Sequence, residues 1–217
     1  KLNDLLKQGS YEPLTDELFI ELLTKLKQFV PKHVRIKNVM RDIPHTEATA
    51  GASRTNLRQL TNRKMAQQGL YCRCIRCREI GLAKRTDAKG VIQLDPISTE
   101  MVVDNYKAAD GDEYFISIED VNQSLLLGFI RLRIKNDKSF VRELHVYGKM
   151  VPVGTKAIDS NQIQHRGIGK QLLQKAEEIC TEHGIKKLFV ISGIGVREYY
   201  KKHGYKLEGC YMVKSLK

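Results

Sequence analysis

Residues 164–169, with the sequence Gln-His-Arg-Gly-Ile-Gly, have the composition of an anion-binding loop. Gly167 and Gly169 permit close backbone approach and dihedral angles that a side chain would penalise, so successive N–H groups can converge on one anion where a helix starts. Glycine pairs before helices also occur in ordinary tight turns. The position of this loop, after an apolar run and before an amphipathic one, favours a site for a pyrophosphate.

The periodicities around this loop predict an α/β (α+β) fold with a mixed central sheet flanked by helices. Apolar residues recur at helical spacing through residues 170–183, and Gly184 is the predicted C-terminal cap. A second, short helix is predicted to contain Tyr199 and Tyr200. The predicted strands cover residues 101–108, 114–118, 125–134, 140–147, 188–191 and 205–216, the last as one strand or a hairpin. A hairpin turn is expected at residues 120–124.

The first third of the chain predicts a more helical region. Thr15 is the predicted N-cap of a helix that reaches residue 29, with acidic residues at its start and lysines at its end. Residues 34–39 alternate in hydrophobicity and predict a strand. Ser53 or Thr55 is expected to start a basic helix that Gly69 ends.

The order of elements after residue 92, together with Gln164, Gly167 and Gly169, resembles the GNAT superfamily of N-acetyltransferases. The resemblance implies acetyl-coenzyme A as acyl donor, with its pyrophosphate on the loop and its pantetheine arm beside a splayed strand. Tyr200 stands four residues before the pair Gly204-Tyr205, the place of the tyrosine that often protonates the departing thiolate in that superfamily. The implied donor-binding residues are Leu144, His145, Val146, Gln164, His165, Arg166, Gly167, Ile168, Gly169, Lys170 and Tyr200.

A narrower resemblance is to the catalytic subunits of the Elongator complex, carried by residues 41–44, 141–148, 190–195 and 197–200. It implies transfer of an acetyl group to the wobble uridine of transfer RNA, with tRNA and other Elongator subunits as partners. It also implies three segments: residues 1–45 as the remnant of a radical S-adenosylmethionine barrel, 46–90 as a basic linker, and 91–217 as the acetyltransferase domain.

The resemblance has one large departure, because the cysteine triplet that would hold the barrel's iron-sulfur cluster is not in this sequence. We therefore expect the chain to be a fragment rather than a naturally short relative. The cluster and S-adenosylmethionine are expected only in the missing domain. Alone, the fragment is predicted to bind or hydrolyse acetyl-coenzyme A without completing the carboxymethyl modification of uridine.

Four side chains are candidates for acid and base chemistry. Glu143 and His145 are two residues apart on a predicted strand, so both lie on one face and either could be a general base. Each could instead be an ordinary strand residue. Tyr200 is the candidate acid, although an aromatic residue there could simply fill the core, and Tyr199 is predicted to line the pocket.

The positive charge is concentrated in residues 1–90, which hold 18 Lys and Arg against 9 Asp and Glu, a net +9 of the total +12. This density favours nucleic-acid phosphates through counterion release, with a solvated basic surface as the alternative. Aromatic residues are sparse there, which favours reading of RNA shape and phosphates over base stacking. The predicted RNA contacts are Arg54, Arg58, Arg63, Lys64, Arg73, Arg76 and Arg78.

Three cysteines, Cys72, Cys74 and Cys77, form a C-x-C-x-x-C pattern that is too tight for comfortable disulfides and well spaced for a metal. A structural zinc takes four ligands, and His33, His45 or a group from the missing barrel could supply the fourth. Three free thiols in a loop are the alternative. The Elongator resemblance implies a zinc-binding linker.

The cysteine usage favours a reducing compartment, and the sequence has neither a signal-peptide pattern nor an apolar run long enough to cross a bilayer. We therefore expect a soluble, cytoplasmic protein. Two other functions fit the same residues. One is a protein (histone) lysine acetyltransferase, and the other is an RNA-binding scaffold that keeps a degenerate acetyltransferase fold.

Overall fold

The computed structural model describes residues 1–39, 49–81, 98–147 and 167–216. The chain divides into two compact units, residues 1–77 and 78–217. Both segment boundaries predicted from the sequence, at residues 45 and 90, lie outside the described residues, so the three-part division stays a prediction. No helix in the described ranges is long and apolar enough to cross a membrane.

The first unit is helical. Its helices are α1 (Leu2–Lys7), α2 (Asp16–Lys27) and α3 (Leu57–Gln67). A one-turn helix, α4 (Ile75–Arg78), lies at the boundary between the two units. The Thr15 Oγ1 accepts a hydrogen bond from the Leu18 N–H at 3.2 Å, so the predicted N-cap of α2 is confirmed. Gly69, with a φ of +69°, follows α3 as predicted.

The start of α3 differs from the prediction, because neither Ser53 nor Thr55 caps it and Asn56 precedes its first residue. The backbone of this approach is fixed by α2 instead: the Asp16 Oδ1 accepts from the N–H groups of Ser53 at 3.0 Å and Arg54 at 3.2 Å. One acidic residue in the first turn of α2 therefore anchors the segment before α3.

The strand predicted over residues 34–39 is wrong, since these residues are in irregular structure. Their carbonyl groups have partners other than a neighbouring strand. The Val34 oxygen accepts from the N–H of Ile75 at 3.0 Å, and the Ile36 oxygen accepts from the Arg58 guanidinium at 2.8 Å. Hydrophobic alternation alone does not distinguish such a braced loop from a strand.

The second unit is a seven-stranded mixed sheet with helices, as the sequence predicted. Its elements are β1 (Thr99–Ala108), β2 (Gly111–Asp120), β3 (Leu126–Lys135), β4 (Lys138–Val146), α5 (Ile168–Glu182), β5 (Lys187–Val190), a 3₁₀ turn (Ile194–Val196), α6 (Arg197–Lys202), β6 (Lys206–Glu208) and β7 (Tyr211–Ser215). The spatial order is β1-β2-β3-β4-β5-β7-β6. Among these described strands, β4 and β5 pair in parallel and the other neighbours pair antiparallel.

The predicted turn between β2 and β3 is built on Asp120. Its carboxylate accepts from the backbone N–H of Ser124 at 2.7 Å and of Asn122 at 3.2 Å. Where the chain reverses, these bonds to the carboxylate replace the backbone hydrogen bonds between the strands. The last strands form the hairpin alternative, β6 and β7.

The core of the second unit lies between α5 and the sheet. Leu172, Leu173 and Ala176 on α5 are at most 1% exposed and belong to one apolar cluster with Ile130 and Leu132 of β3. Burying each such leucine contributes on the order of 1.5–3 kcal/mol. This packing fixes the start of α5 against the ends of β3 and β4, where the predicted site lies.

Candidate functional site

The parallel pair β4 and β5 separates partway along its length. The two strands pair from Ser139 to Val141 only, and the last bond joins the Ile191 N–H to the Val141 carbonyl at 3.0 Å. Strand β4 continues five residues further, to Val146, paired with β3. Within the described residues, the pairing of β4 with β5 ends at this point. A divergence of two parallel strands is a place where an extended ligand can bind as an added strand does.

The helix α5 begins beside this divergence, immediately after Gly167. This residue is the N-cap and has a φ of +73°, a left-handed conformation that favours glycine. The first N–H groups of any α-helix lack an intrahelical acceptor, so those of Ile168, Gly169 and Lys170 can point at an anion. Of the predicted loop, Gln164, His165 and Arg166 lie outside the described residues.

Gly169, the second glycine of the loop, has a role that the sequence did not indicate. An ideal Cβ built on it would lie 2.5 Å from the Tyr199 hydroxyl and 3.6 Å from the Val146 Cγ2. The helix start, the end of β4 and the helix α6 therefore meet at this point. The structure brings together Val146, Gly169 and Tyr199, three of the predicted site residues.

Gly128 on β3 was not predicted to belong to the site. An ideal Cβ there would lie 2.9 Å from the His145 carbonyl oxygen, 3.0 Å from the Ile168 Cγ2 and 3.4 Å from the Val146 Cα. Its missing side chain lets the end of β4 and the start of α5 pack closely. The sequence does carry a signal for it, because an isolated glycine inside a strand pattern indicates close backbone approach.

Tyr200 is 6% exposed and lies in the core cluster, with its ring edge-on to Tyr199 at 5.4 Å and to Tyr205 at 5.9 Å. Burial raises the pKa of Tyr200 to about 12. The hydroxyl therefore stays protonated at neutral pH and can donate a proton or a hydrogen bond. Burial also raises the pKa of Tyr199.

Glu143 and His145 lie side by side on β4. The His145 Nε2 is 3.7 Å from the Glu143 Oε2, and both side chains are about half exposed, at 50% and 42%. Leu144 and Val146, by contrast, pack against the core cluster with α5. Because side chains alternate along a strand, the two base candidates lie on the sheet face opposite α5.

Arg131 on β3 is a further charged group at this position, and sequence reasoning did not identify it. It pairs directly across from Glu143 in the strand register, and its Nε is 3.6 Å from the Glu143 Oε2. Its guanidinium also lies over the rings of Phe115 and Phe129 at 5.5 and 5.7 Å. A cation fixed in this way orients the Glu143 carboxylate beside His145.

The three cysteines of the first unit form a compact cluster. The Sγ atoms of Cys72, Cys74 and Cys77 all lie within 4.8 Å of one another, and two of the three residues are buried. Tetrahedral zinc holds sulfur ligands at about 2.3 Å, which places them about 3.8 Å apart, so this cluster fits three corners of such a site. Among the described residues, His33 is not part of the group, and His45 lies outside them.

The three thiols of this cluster share hydrogen bonds. Hydrogen bonds from Cys72 and then Cys77 lower the pKa of Cys74 to about 2, and the same contact with Cys74 raises the pKa of Cys72. A lowered thiol pKa favours the thiolate, and metal coordination requires the thiolate form.

The predicted RNA contacts divide into two groups. Arg63 and Arg76 are exposed, Lys64 and Arg73 are half-buried, and Arg54 is exposed but lies 3.4 Å from the Asp16 carboxylate. These five remain candidates for contact with a polyanion.

Arg58 and Arg78 have structural partners. The Arg58 guanidinium donates to the carbonyls of Ile36 and Lys37 at 2.8 and 3.2 Å and so braces the loop before α3. Arg78 is 3% exposed, and its Nη1 lies 2.7 Å from the Oε2 of Glu119, which is fully buried. Because its charge is neutralised inside the second unit, we remove Arg78 from the proposed RNA surface.

Comparison with known proteins extends this picture. Residues 90–205 match the Acetyltransferase (GNAT) family, and residues 1–67 match the Radical_SAM C-terminal domain. The chain is 41% identical to the tRNA uridine(34) acetyltransferase of Methanocaldococcus infernus and 39% identical to the Elongator complex protein 3 of Homo sapiens, with the whole chain covered in each case. It spans 42% and 40% of the length of these relatives.

A solved structure of such a relative is similar over nearly the whole chain. The archaeal Elp3 of Methanocaldococcus infernus with an N-terminal deletion superposes with a TM-score of 0.85 at 40% identity, over 99% of this chain and 52% of that one. The family match covers more than half of the chain and includes the divergence of β4 and β5, the start of α5 and both tyrosines. The chain belongs to the acetyltransferase (GNAT) family.

Proposed function

We propose that the second unit binds acetyl-coenzyme A and transfers its acetyl group, with RNA as the source of the acceptor. The divergence of β4 from β5 beside the glycine-capped start of α5 is the observation that carries this proposal. The donor supplies a thioester, an activated acetyl group whose leaving group is a thiolate. Anchoring of this donor and proton transfer at its thioester fall on residues of this chain.

The anchoring groups are mainly backbone. N–H groups from Gly167 to Lys170 face the diphosphate at the positive end of α5, and the predicted Gln164, His165 and Arg166 precede them. The pantetheine arm is proposed to lie along the backbone of Leu144 to Val146, on the side of β4 where β5 diverges. Such positioning converts attack on the thioester into an effectively unimolecular step.

Proton transfer is assigned to side chains on the two faces of β4. A base, His145 oriented by Glu143 or Glu143 itself, removes a proton from the attacking water or amine. As the bond between carbonyl carbon and sulfur breaks, the Tyr200 hydroxyl donates its proton to the departing thiolate. Its raised pKa keeps that proton available at neutral pH.

The names of the relatives suggest the acceptor. The tRNA uridine(34) acetyltransferases and Elongator complex protein 3 share about two fifths of the chain's residues, so we infer that the acetyl group is destined for the wobble uridine of tRNA. Arg54, Arg63, Lys64, Arg73 and Arg76 are the proposed phosphate contacts. We further infer association with other Elongator subunits and a cytoplasmic location.

The carboxymethyl modification needs more than this chain. Residues 1–45 are proposed as the remnant of a radical S-adenosylmethionine barrel, 46–90 as the linker and 91–217 as the acetyltransferase domain. The iron-sulfur cluster and S-adenosylmethionine belong to the rest of that barrel. The chain by itself is therefore limited to binding or hydrolysing acetyl-coenzyme A.

The cysteine cluster is proposed to hold a structural zinc. Cys72, Cys74 and Cys77 would supply three thiolates, with His33, His45 or a group outside this chain as the fourth ligand. The ion would link the end of α3 to α4 and so fix the basic segment between them.

Calorimetric titration with acetyl-coenzyme A tests the donor site. Gly167→Ala forces a side chain into a left-handed conformation at a cost of about 1–2 kcal/mol, and we expect affinity to fall by about tenfold. Gly184→Ala is the matched control, because Gly184 has a φ of +68° and open surroundings at the other end of α5. It should bind like the unaltered protein. No heat from the unaltered protein, or equal losses in both variants, would refute the proposal.

A further inference from the structure

The hydroxyl of Tyr199 occupies the space that a side chain at position 169 would need. An ideal Cβ on Gly169 would lie 2.5 Å from this oxygen, closer than real Cβ atoms approach, but 3.4 Å from the ring carbon Cζ, an ordinary contact. The clash therefore involves the hydroxyl alone. The next neighbour, the Val146 Cγ2, lies at 3.6 Å.

Tyr199 cannot easily swing aside. Its ring lies edge-on between Tyr200 at 5.4 Å and His203 at 4.7 Å, and it packs against the core cluster around α5. A tilt of the ring that moves the hydroxyl would also change both ring contacts. The space at Gly169 is thus set by a fixed neighbour rather than by a flexible side chain.

Backbone conformation does not explain why residue 169 is a glycine. Gly167 has a positive φ, whereas Gly169 lies within α5 and is not among the glycines with positive φ. In such a helical conformation, alanine is favoured over glycine. A reason other than dihedral freedom must keep the side chain absent here.

We propose that Tyr199 is a positioning residue of the acyl-donor site, whose hydroxyl holds the first turn of α5 against the end of β4. Gly169 is glycine to admit that hydroxyl. The effect on the coenzyme rests on the proposed function, while the packing itself does not. Tyr199 and Tyr200 then have separate tasks: Tyr199 sets the distance between the diphosphate site and β4, and Tyr200 supplies the proton.

A double-variant cycle tests this coupling. Gly169→Ala should lower the affinity for acetyl-coenzyme A by about tenfold or more and lower the melting temperature of the free protein. In the Tyr199→Phe background the hydroxyl is gone, so the same alanine should restore most of the affinity. It should also raise the melting temperature, because alanine is the better helix former.

Gly128→Ala is the control for nonspecific crowding at the same site. Its Cβ would meet the His145 oxygen, the Ile168 side chain and the Val146 backbone, none of which belongs to Tyr199. Tyr199→Phe should therefore give it no rescue. In acetyl-coenzyme A hydrolysis or transfer, Tyr199→Phe should raise the KM a few-fold and leave kcat nearly unchanged, whereas Tyr200→Phe should lower kcat.

Three results would overturn the inference: an unperturbed Gly169→Ala protein, a loss that Tyr199→Phe does not relieve, or a collapse of kcat in Tyr199→Phe. Failure of the proposed function has a different signature. If the unaltered protein gives no heat with acetyl-coenzyme A, the donor site is refuted. The melting temperatures of the four proteins in the cycle still decide whether Tyr199 and Gly169 are coupled.

Discussion

The buried ion pair between Arg78 and Glu119 should dominate the stability of the second unit. The Arg78 Nη1 and the Glu119 Oε2 are 2.7 Å apart, with side chains 3% and 0% exposed, so water screens neither charge. Glu119→Gln keeps an oxygen that can accept from the Ser117 hydroxyl, which donates to Glu119 at 2.7 Å. The substitution removes the negative charge that lies beside the Arg78 guanidinium.

The expected cost is about 3–5 kcal/mol, the typical penalty for removing one partner of a buried ion pair. That is a large share of the roughly 5–15 kcal/mol by which a domain is stable. Urea denaturation followed by circular dichroism of the sheet measures it. The double variant Arg78→Met with Glu119→Leu should recover most of the loss, because an apolar pair of similar size replaces the charges.

An exposed pair in the same unit is the matched control. Lys187 on β5 and Glu208 on β6 form an ion pair at 3.0 Å, but their side chains are 48% and 49% exposed. Glu208→Gln should cost less than about 1 kcal/mol. The reasoning is refuted if Glu119→Gln costs no more than Glu208→Gln, or if the apolar double variant is less stable than Glu119→Gln.

Three further predictions concern pH, metal and RNA. Burial raises the pKa of Tyr200 to about 12, above the ~10 of a tyrosine in the unfolded chain. The protonated Tyr200 hydroxyl therefore contributes fully to stability below about pH 10, and this contribution is lost as the pH rises towards 12. In Tyr200→Phe, the melting temperature should fall less steeply over this pH range. The chain should bind one equivalent of zinc, which Cys74→Ser abolishes and Cys210→Ser, at an exposed cysteine, does not. Binding of tRNA in gel shifts should weaken steeply with salt, and Arg76→Gln should reduce the slope of log affinity against log salt by about one.

Each of these predictions has a contrary outcome. An alkaline transition identical in Tyr200→Phe would mean that this hydroxyl is not titrating from a buried state. Zinc retained by Cys74→Ser would locate the ion elsewhere. RNA affinity that does not depend on salt concentration would remove the basic surface from the proposal. So would a slope of log affinity against log salt that is unchanged in Arg76→Gln.

Regular elements could be predicted from the sequence, because their periodicity is local. The amphipathic pattern of residues 170–183 and the alternation in the strands each depend on neighbours within a few positions. The same logic failed at residues 34–39, where the carbonyls of Val34 and Ile36 bond to Ile75 and Arg58, far along the chain. Nothing local distinguishes such partners from a neighbouring strand.

The candidate site shows the same limit. Gly167 could be predicted, since a glycine in a loop directly before a helix is a local pattern that indicates unusual backbone angles. The reason for Gly169 could not, because the Tyr199 hydroxyl comes from thirty residues further along the chain. Arg78 looked like part of a basic surface because a sequence lists charges without their partners, and Glu119 lies on another element. Distant pairings of this kind appear only in the folded chain.

A crystal structure of the chain with a non-hydrolysable acetyl-coenzyme A analogue tests the central claim most directly. The account predicts the diphosphate on the backbone N–H groups of residues 167–170 and the pantetheine arm along residues 144–146, in the space where β4 leaves β5. A ligand bound elsewhere, or a diphosphate placed away from the start of α5, would contradict it.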